Sequence, residues 1–168
     1  MPMSEYIRDL RSKIGTTVLE VPTVSIIVQD ELERFLLVRH VEGNVWTTPG
    51  GMIEPYELPA DAAVRETWEE TGLHVELTRI IGVFGGKLCS GSYSNGDKVS
   101  WISTVFAAKA LGGTLQPDGE ETLEVRFFSR DELPRLHCKP HVPLVLDAAY
   151  ANEQAAQFQR ATWAPPSA

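Results

Sequence analysis

At 168 residues, with 43% hydrophobic and 23% charged side chains, the chain is long enough for one domain with its own core and too ordinary in composition for global disorder. Its formal net charge of −8 argues against a nucleic-acid or anionic-membrane surface, since both need a basic patch. No apolar run reaches the length of about 18 residues that a membrane span needs, the first residues lack an export-signal pattern, and two cysteines, Cys89 and Cys138, make no disulfide framework, so a reduced cytoplasmic setting is expected.

Ser4 to Ile14 places Tyr6, Ile7, Leu10 and Ile14 at helical spacing behind a capping serine, which predicts a short leading helix. That helix is expected either to cover a sheet or to contact a second subunit. Residues 21–28 and 35–38 are rich in β-branched and aliphatic side chains and flank a polar turn, the pattern of a β-hairpin. A short strand at 45–48 is expected to stop at Pro49-Gly50-Gly51. A helix follows over about 58–71, with Pro59 in its first turn and Gly72 as its left-handed end. Strands are predicted at 75–83 and 98–108, with a bend at Gly85-Gly86 and a tight turn at Asn95-Gly96 between them. Gly112-Gly113 reads as another turn, 125–128 as a strand, Asp131 as the cap of a short helix, and 142–159 as a longer terminal helix before a loose Pro-rich tail.

Strands bracketing a central helix, with a further helix near the end, predict an α+β single domain, an α/β/α sandwich on a mixed sheet. The division expected is an N-terminal helical extension (1–20), a main domain (21–136), and a C-terminal helix and tail packing on that domain (137–168).

Chemistry concentrates in the predicted central helix. Glu66, Glu69 and Glu70 fall at i, i+3 and i+4, so their carboxylates should share one helix face. Like charges that close repel, and a divalent cation removes the penalty; hard carboxylate oxygens suit Mg²⁺ or Mn²⁺. Three acidic residues alone are also what an ordinary solvated helix face carries. Here, however, they sit in a longer frame: Gly51, five residues, Glu57, seven residues, then Arg65-Glu66-Thr67-Trp68-Glu69-Glu70-Thr71-Gly72-Leu73.

That frame resembles the signature box of the Nudix hydrolases, and the resemblance covers about residues 23–136. Two positions depart from the pattern. Thr67 stands where an aliphatic residue is usual, and Pro55-Tyr56 replaces the glycine that often precedes the box glutamate. The resemblance implies a mixed sheet between helices and Mg²⁺-dependent (or Mn²⁺-dependent) hydrolysis of a diphosphate bond. Its substrate would be a nucleoside diphosphate linked to another group, with ADP-ribose-like compounds and nucleoside triphosphates, oxidised ones included, both open. It further implies Glu69 and Glu70 as metal ligands, Glu66 as ligand or base, the Gly50 carbonyl completing the shell, and Arg65 and Glu57 as orienting residues. A base beyond the box is expected among Glu120, Glu121 and Glu124, with Glu121 preferred. Relatives often form homodimers.

For substrate contacts the candidates are Gly51, which lets the backbone approach phosphate, Arg39 and Lys87 as phosphate partners, and Trp46, Tyr56, Phe84, Tyr93 and Trp101 as ring-stacking surfaces. His137-Cys138-Lys139-Pro140-His141 looks like a metal cluster at first sight but lacks a second half, so a loop is the expectation. The competing function is a nucleotide-binding regulatory module that kept the fold and lost turnover; the intact Glu66, Glu69 and Glu70 speak for the enzyme.

Overall fold

The apolar runs of this chain sort themselves into two sheets and three helices in the computed structural model, which describes residues 4–161. In chain order the elements are α1 (Glu5–Ile14), β1 (Leu19–Val28), β2 (Phe35–His40), β3 (Val45–Thr47), α2 (Pro59–Thr71), β4 (Leu73–Phe84), β5 (Ser90–Ser92), β6 (Lys98–Gly113), β7 (Thr122–Phe128), α3 (Val142–Ala151) and β8 (Gln157–Phe158). One mixed sheet runs β1-β6-β4-β8, with β5 added to β6. Within it β1 and β6 are parallel and β4 and β6 antiparallel. The other sheet runs β3-β2-β7 and is antiparallel.

Alternation along the strands assigns each face a helix. From β1, Val24, Ile26 and Val28 point toward α2, where they meet Ala62 and Ala63, while Ile27 points the other way. From β6, Phe106 joins the α2 side and Val105 the α3 side. The α3 side also gathers Phe35, Leu37 and Phe128 of the second sheet with Val142, Val145 and Leu146 of α3. Register shifts in β4 after His74, Leu77 and Ile80 change which face its side chains reach, so Val75 packs on the α2 side and Ile81 on the α3 side. This is the expected α+β sandwich.

At the N-terminus Ser4 caps α1, its hydroxyl accepting the Ile7 N–H at 3.3 Å. Ile7 is the buried residue of α1 and packs on Val21 of β1 and Val99 of β6. The helix therefore covers its own sheet.

Several local expectations are corrected. β1 and β2 are not a paired hairpin: after the single bridge Gln29–Phe35 they enter different sheets. Both are apolar on consecutive positions and hence buried on both faces, which suits separate interior strands better than a two-stranded ribbon. Gly112-Gly113 is no turn but the end of β6, paired with His74 and Leu73. A Cβ at Gly113, with φ of 102°, would strike the Gly72 carbonyl, so glycine there permits a close backbone approach.

The Asn95-Gly96 turn joins β6 to β5, a short strand absent from the sequence reading. Asp131 caps nothing; Glu132 clips the turn instead, accepting the Ser129 N–H at 2.9 Å ahead of a 3-10 turn at Leu133–Arg135. α3 ends at Ala151, where Asn152 takes the left-handed conformation, and the chain then returns as β8 alongside Gly82 and Val83. The terminal helix expected to reach 159 is thus a short helix plus an edge strand. The Pro-rich tail lies outside the described residues.

Candidate active site

Residues 49–53 run beside the free edge of β1. The Ile26 N–H donates to the Pro49 carbonyl and the Val24 N–H to the Gly51 carbonyl, both at 2.9 Å. This places the backbone against β1 so tightly that a Cβ on Gly50 (φ 149°) would collide with the Val24 carbonyl. A Cβ on Gly51 would fall 2.5 Å from the Glu66 carboxylate. The two glycines thus bring main chain directly onto the acidic face of α2.

Arg65 organises that face. Its Nε and Nη2 fork onto Glu57 at 2.8 and 2.9 Å. Its Nη1 donates to Glu66 Oε1 at 2.8 Å and Glu69 Oε2 at 3.1 Å, and Nη2 also reaches the Met52 carbonyl at 3.2 Å. The hydrogen bonds from Arg65 hold the Glu57 carboxyl below the usual range, and Glu57 in turn raises the guanidinium's pKa further. Glu70 turns the other way and accepts the Gly50 N–H at 2.9 Å.

So the three glutamates share a helix but do not converge on one point. Arg65 draws Glu66 and Glu69 together, and among the described residues no three His, Cys, Asp or Glu side chains form a ready-made metal cluster. The donor set nonetheless fits a hard divalent cation. Glu66 and Glu70 are 8% and 6% exposed, and burial pushes both carboxyls up, Glu70 to about 8. The field of Glu66 adds to the burial of Glu70, whose carboxylate accepts a main-chain N–H at the glycine pair, and a dication held there would favour the ionised form of both side chains.

Both carboxylates open into a cavity of about 420 Å³. Its wall is shared by the glycine loop, α1, β1, the β5–β6 turn and the segment 139–141. Of the residues named from sequence as metal, catalytic or substrate contacts it gathers Gly50, Gly51, Glu66, Glu70, Tyr93, Trp101 and Glu121. Among the three glutamates considered as base, Glu121 is the one that lines the cavity; Glu124 faces Arg39 in an ion pair at 3.0 Å, and Glu120 is exposed. Asp118 fixes that loop by accepting the N–H groups of Glu120, Glu121 and Thr122.

Other candidates lie elsewhere. Phe84 is a buried core residue at 4% exposure. Trp46 packs edge-on against Phe128 with ring centres 4.6 Å apart, and the Arg39 guanidinium lies 6.0 Å from the Trp46 ring. Neither they nor Lys87 line the cavity. The partly exposed Glu69 is held by Arg65 and is not a lining residue either.

The structure also gives the His137–His141 run a place in the site. Backbone bonds from Trp46 N–H to the His137 carbonyl (2.8 Å) and from Lys139 N–H to the Trp46 carbonyl (2.9 Å) lay 137–139 alongside β3. That pairing aims Lys139 and His141 into the cavity, so the His-Cys-Lys-Pro-His run is a wall segment and not a zinc site. Burial lowers the Lys139 ammonium's pKa, opposed by the fields of Glu70 and Glu42. His141 is buried edge-on to Trp101, with ring centres 5.5 Å apart, and burial lowers its pKa to about 4. His40, likewise lowered to about 4, is neutral and accepts the Glu42 N–H through Nδ1 at 3.1 Å. No spacing rule marks these side chains, because a strand pairing distant in sequence brings them in.

Comparison with known proteins identifies the family. A family model of the NUDIX domain matches residues 19–148. A MutT-like protein of Streptomyces ambofaciens is 31% identical over 126 residues, which is 75% of this chain and 75% of that protein. An 8-oxo-dGDP phosphatase of Homo sapiens is 30% identical over 139 residues, 79% of this chain but 40% of that longer protein. The solved structure of an ADP-ribose pyrophosphatase from Streptococcus suis 89-1591 superposes with a TM-score of 0.61 at 24% identity, covering 82% of this chain and 96% of that one. With the signature box folded into a glycine loop, an arginine-clamped acidic helix and a cavity between them, the chain belongs to the Nudix family of hydrolases.

Proposed function

We propose that this Nudix hydrolase binds a nucleotide in the 420 Å³ cavity and cleaves its diphosphate linkage beside Glu66 and Glu70. The observation that carries the reading is the pair of buried carboxylates facing main chain at Gly50-Gly51 inside a cavity large enough for a nucleotide. Glu66, Glu69, Glu70 and the Gly50 carbonyl would hold the metal, taken to be Mg²⁺ or Mn²⁺. Such an ion supplies charge neutralisation on the phosphate oxygens and a water acidic enough to deprotonate near neutral pH.

The chain's own residues do the rest. Arg65, anchored on Glu57, fixes the rotamers of Glu66 and Glu69. Glu121, which also lines the cavity, takes the proton of the attacking water. Lys139 neutralises the phosphate that leaves, and the glycine loop lets the diphosphate lie against main chain. No helix of the described residues is long and apolar enough to cross a membrane, and Cys89 and Cys138 are free thiols, which accords with a reducing, cytoplasmic setting.

The similar proteins divide between an 8-oxo-dGDP phosphatase and an ADP-ribose pyrophosphatase, and both substrate classes belong in the test. Incubation of the chain with such a panel and Mg²⁺, with products identified by mass spectrometry, should show cleavage at one diphosphate bond. Glu70→Gln removes ligand charge without removing packing and should lower kcat by more than about a hundredfold, with an unchanged circular dichroism spectrum. Near-wild-type turnover at saturating Mg²⁺ would end the assignment of Glu70.

A further inference from the structure

The matched family segment begins at residue 19, so α1 lies outside it. Yet Ile7 and Arg11 of α1 and its cap Ser4 all line the cavity. The helix is held there by a dedicated set of contacts. Ile7 is 6% exposed against Val21 and Val99, with Trp101 packed beside them. Arg11 donates to the carbonyls of Gly15 (3.1 Å), Thr17 (2.7 Å) and Lys98 (2.8 Å) and lies 3.6 Å from Asp97 in the β5–β6 turn. Across the mouth, the Ser94 N–H donates to Glu42 at 3.0 Å and pins the same turn from the other side.

This end of the cavity differs in chemistry from the glutamate end. Its surfaces are apolar or aromatic: Ile7, Val21, Val99 and Trp101, with Tyr93 at the rim. Its charged side chains are largely committed. Arg11 is saturated by three carbonyls and Asp97, and the remaining lining charges nearby, Glu42 and Asp97, are negative. A phosphate-rich or anionic group would be repelled here, and a flat uncharged ring would be accommodated.

We propose that α1 and the β5–β6 turn form, within the same chain, the wall that selects the group carried on the diphosphate, and that this group is a nucleobase. The inference rests on the cavity being the nucleotide site named above. It makes Ile7 a specificity-determining residue, since its side chain sets how much ring the wall admits.

The test measures equilibrium binding, so it does not depend on turnover. Dissociation constants are taken by calorimetry for a non-hydrolysable purine nucleoside triphosphate, its pyrimidine counterpart and inorganic tripolyphosphate, with wild type, Ile7→Ala and Ile7→Phe. Ile7→Ala should weaken the purine nucleotide about tenfold more than tripolyphosphate. Ile7→Phe, which narrows the wall, should shift the purine-to-pyrimidine preference toward pyrimidine by a similar factor. Thermal melting checks that both variants fold, and Ile7→Phe preserves a large apolar side chain if Ile7→Ala does not. Equal effects on all three ligands, or wild type binding the nucleotides no better than tripolyphosphate, would overturn the proposal. Selective binding here, with no cleavage of the corresponding natural nucleotides in a separate Mg²⁺ assay, would uphold the wall and sink the hydrolase reading alone.

Discussion

Lys139 and His141 stand two residues apart on one short segment and line the same cavity, and burial lowers the pKa of both, but carboxylate fields oppose the shift at the lysine. The lysine keeps the fields of Glu70 and Glu42 about it. Of the Lys and Arg side chains lining the cavity, Arg11 is engaged with Asp97 and three carbonyls, which leaves Lys139 for an incoming phosphate. Lys139→Met should therefore raise KM about tenfold to a hundredfold, the worth of one charge-assisted hydrogen bond, with a smaller change in kcat. Steady-state kinetics decide this; a fall in kcat at constant KM would mean the lysine serves only to balance Glu70.

His141 has no carboxylate beside it, and its Nδ1 lacks a hydrogen-bond partner among the described residues. Its folded pKa of about 4 lies below the ordinary 6.5. Between those values the unfolded chain binds the proton that the folded chain refuses, so stability falls as pH drops from about 6.5 to 4. For a side chain this buried the loss is on the order of 3 kcal/mol. His141→Phe removes the titration, and chemical denaturation at pH 7 and pH 4.5 should show a smaller difference for the variant than for wild type.

At the scale of elements, the loop before α2 contains a local conflict that the sequence displayed. The residue ahead of Glu57 must adopt a left-handed backbone, and Tyr56 does so with φ of 69° while its ring is fully exposed. Nothing in packing compensates the strain, so Tyr56→Gly should stabilise the fold by about 1 kcal/mol. A thermal midpoint unchanged or lowered would show that the ring makes a contribution the loop geometry hides. Thr67, the other departure from the box, resolves differently. It is fully buried and its hydroxyl donates to the Ala63 carbonyl at 2.8 Å, so the polar group is satisfied inside its own helix.

Elements built on local rules were legible: α1 from its serine cap, α2 from Pro59 and Gly72, and the Asn95-Gly96 turn. Those set by pairing at a distance were not. β1 and β2 read as a hairpin because a turn joins them, although their partners are β6 and β7. β8 is two residues long and exists only because β4 offers an edge at Gly82. The acidic ridge was legible for the same local reason as α2, whereas the wall opposite it needed the fold.

At the scale of the whole fold, the sheets and helices of the described residues leave a concavity at the seam between β1, α1 and the glycine loop, and its lining is strongly acidic. Glu42, Glu54, Glu66, Glu70, Asp97 and Glu121 face it, against Arg11 and Lys139. In a chain of net charge −8 that concentration of carboxylates opposes folding, and burial of Glu66 and Glu70 makes it worse. A divalent cation held there binds the folded chain and not the unfolded one, so it adds stability by mass action. At a hundred times its dissociation constant the gain is about 2.7 kcal/mol, or a rise of about 8 °C in Tm for a chain of this size. Scanning calorimetry with Mg²⁺ or Mn²⁺ should show that rise and a chelator should reverse it, while Glu70→Gln should lose most of it. The shift reads the cation directly, ahead of any substrate. A Tm indifferent to both metals up to millimolar concentration would mean that Arg65, already bonded to Glu66 and Glu69, is the only positive charge the ridge was built to accept.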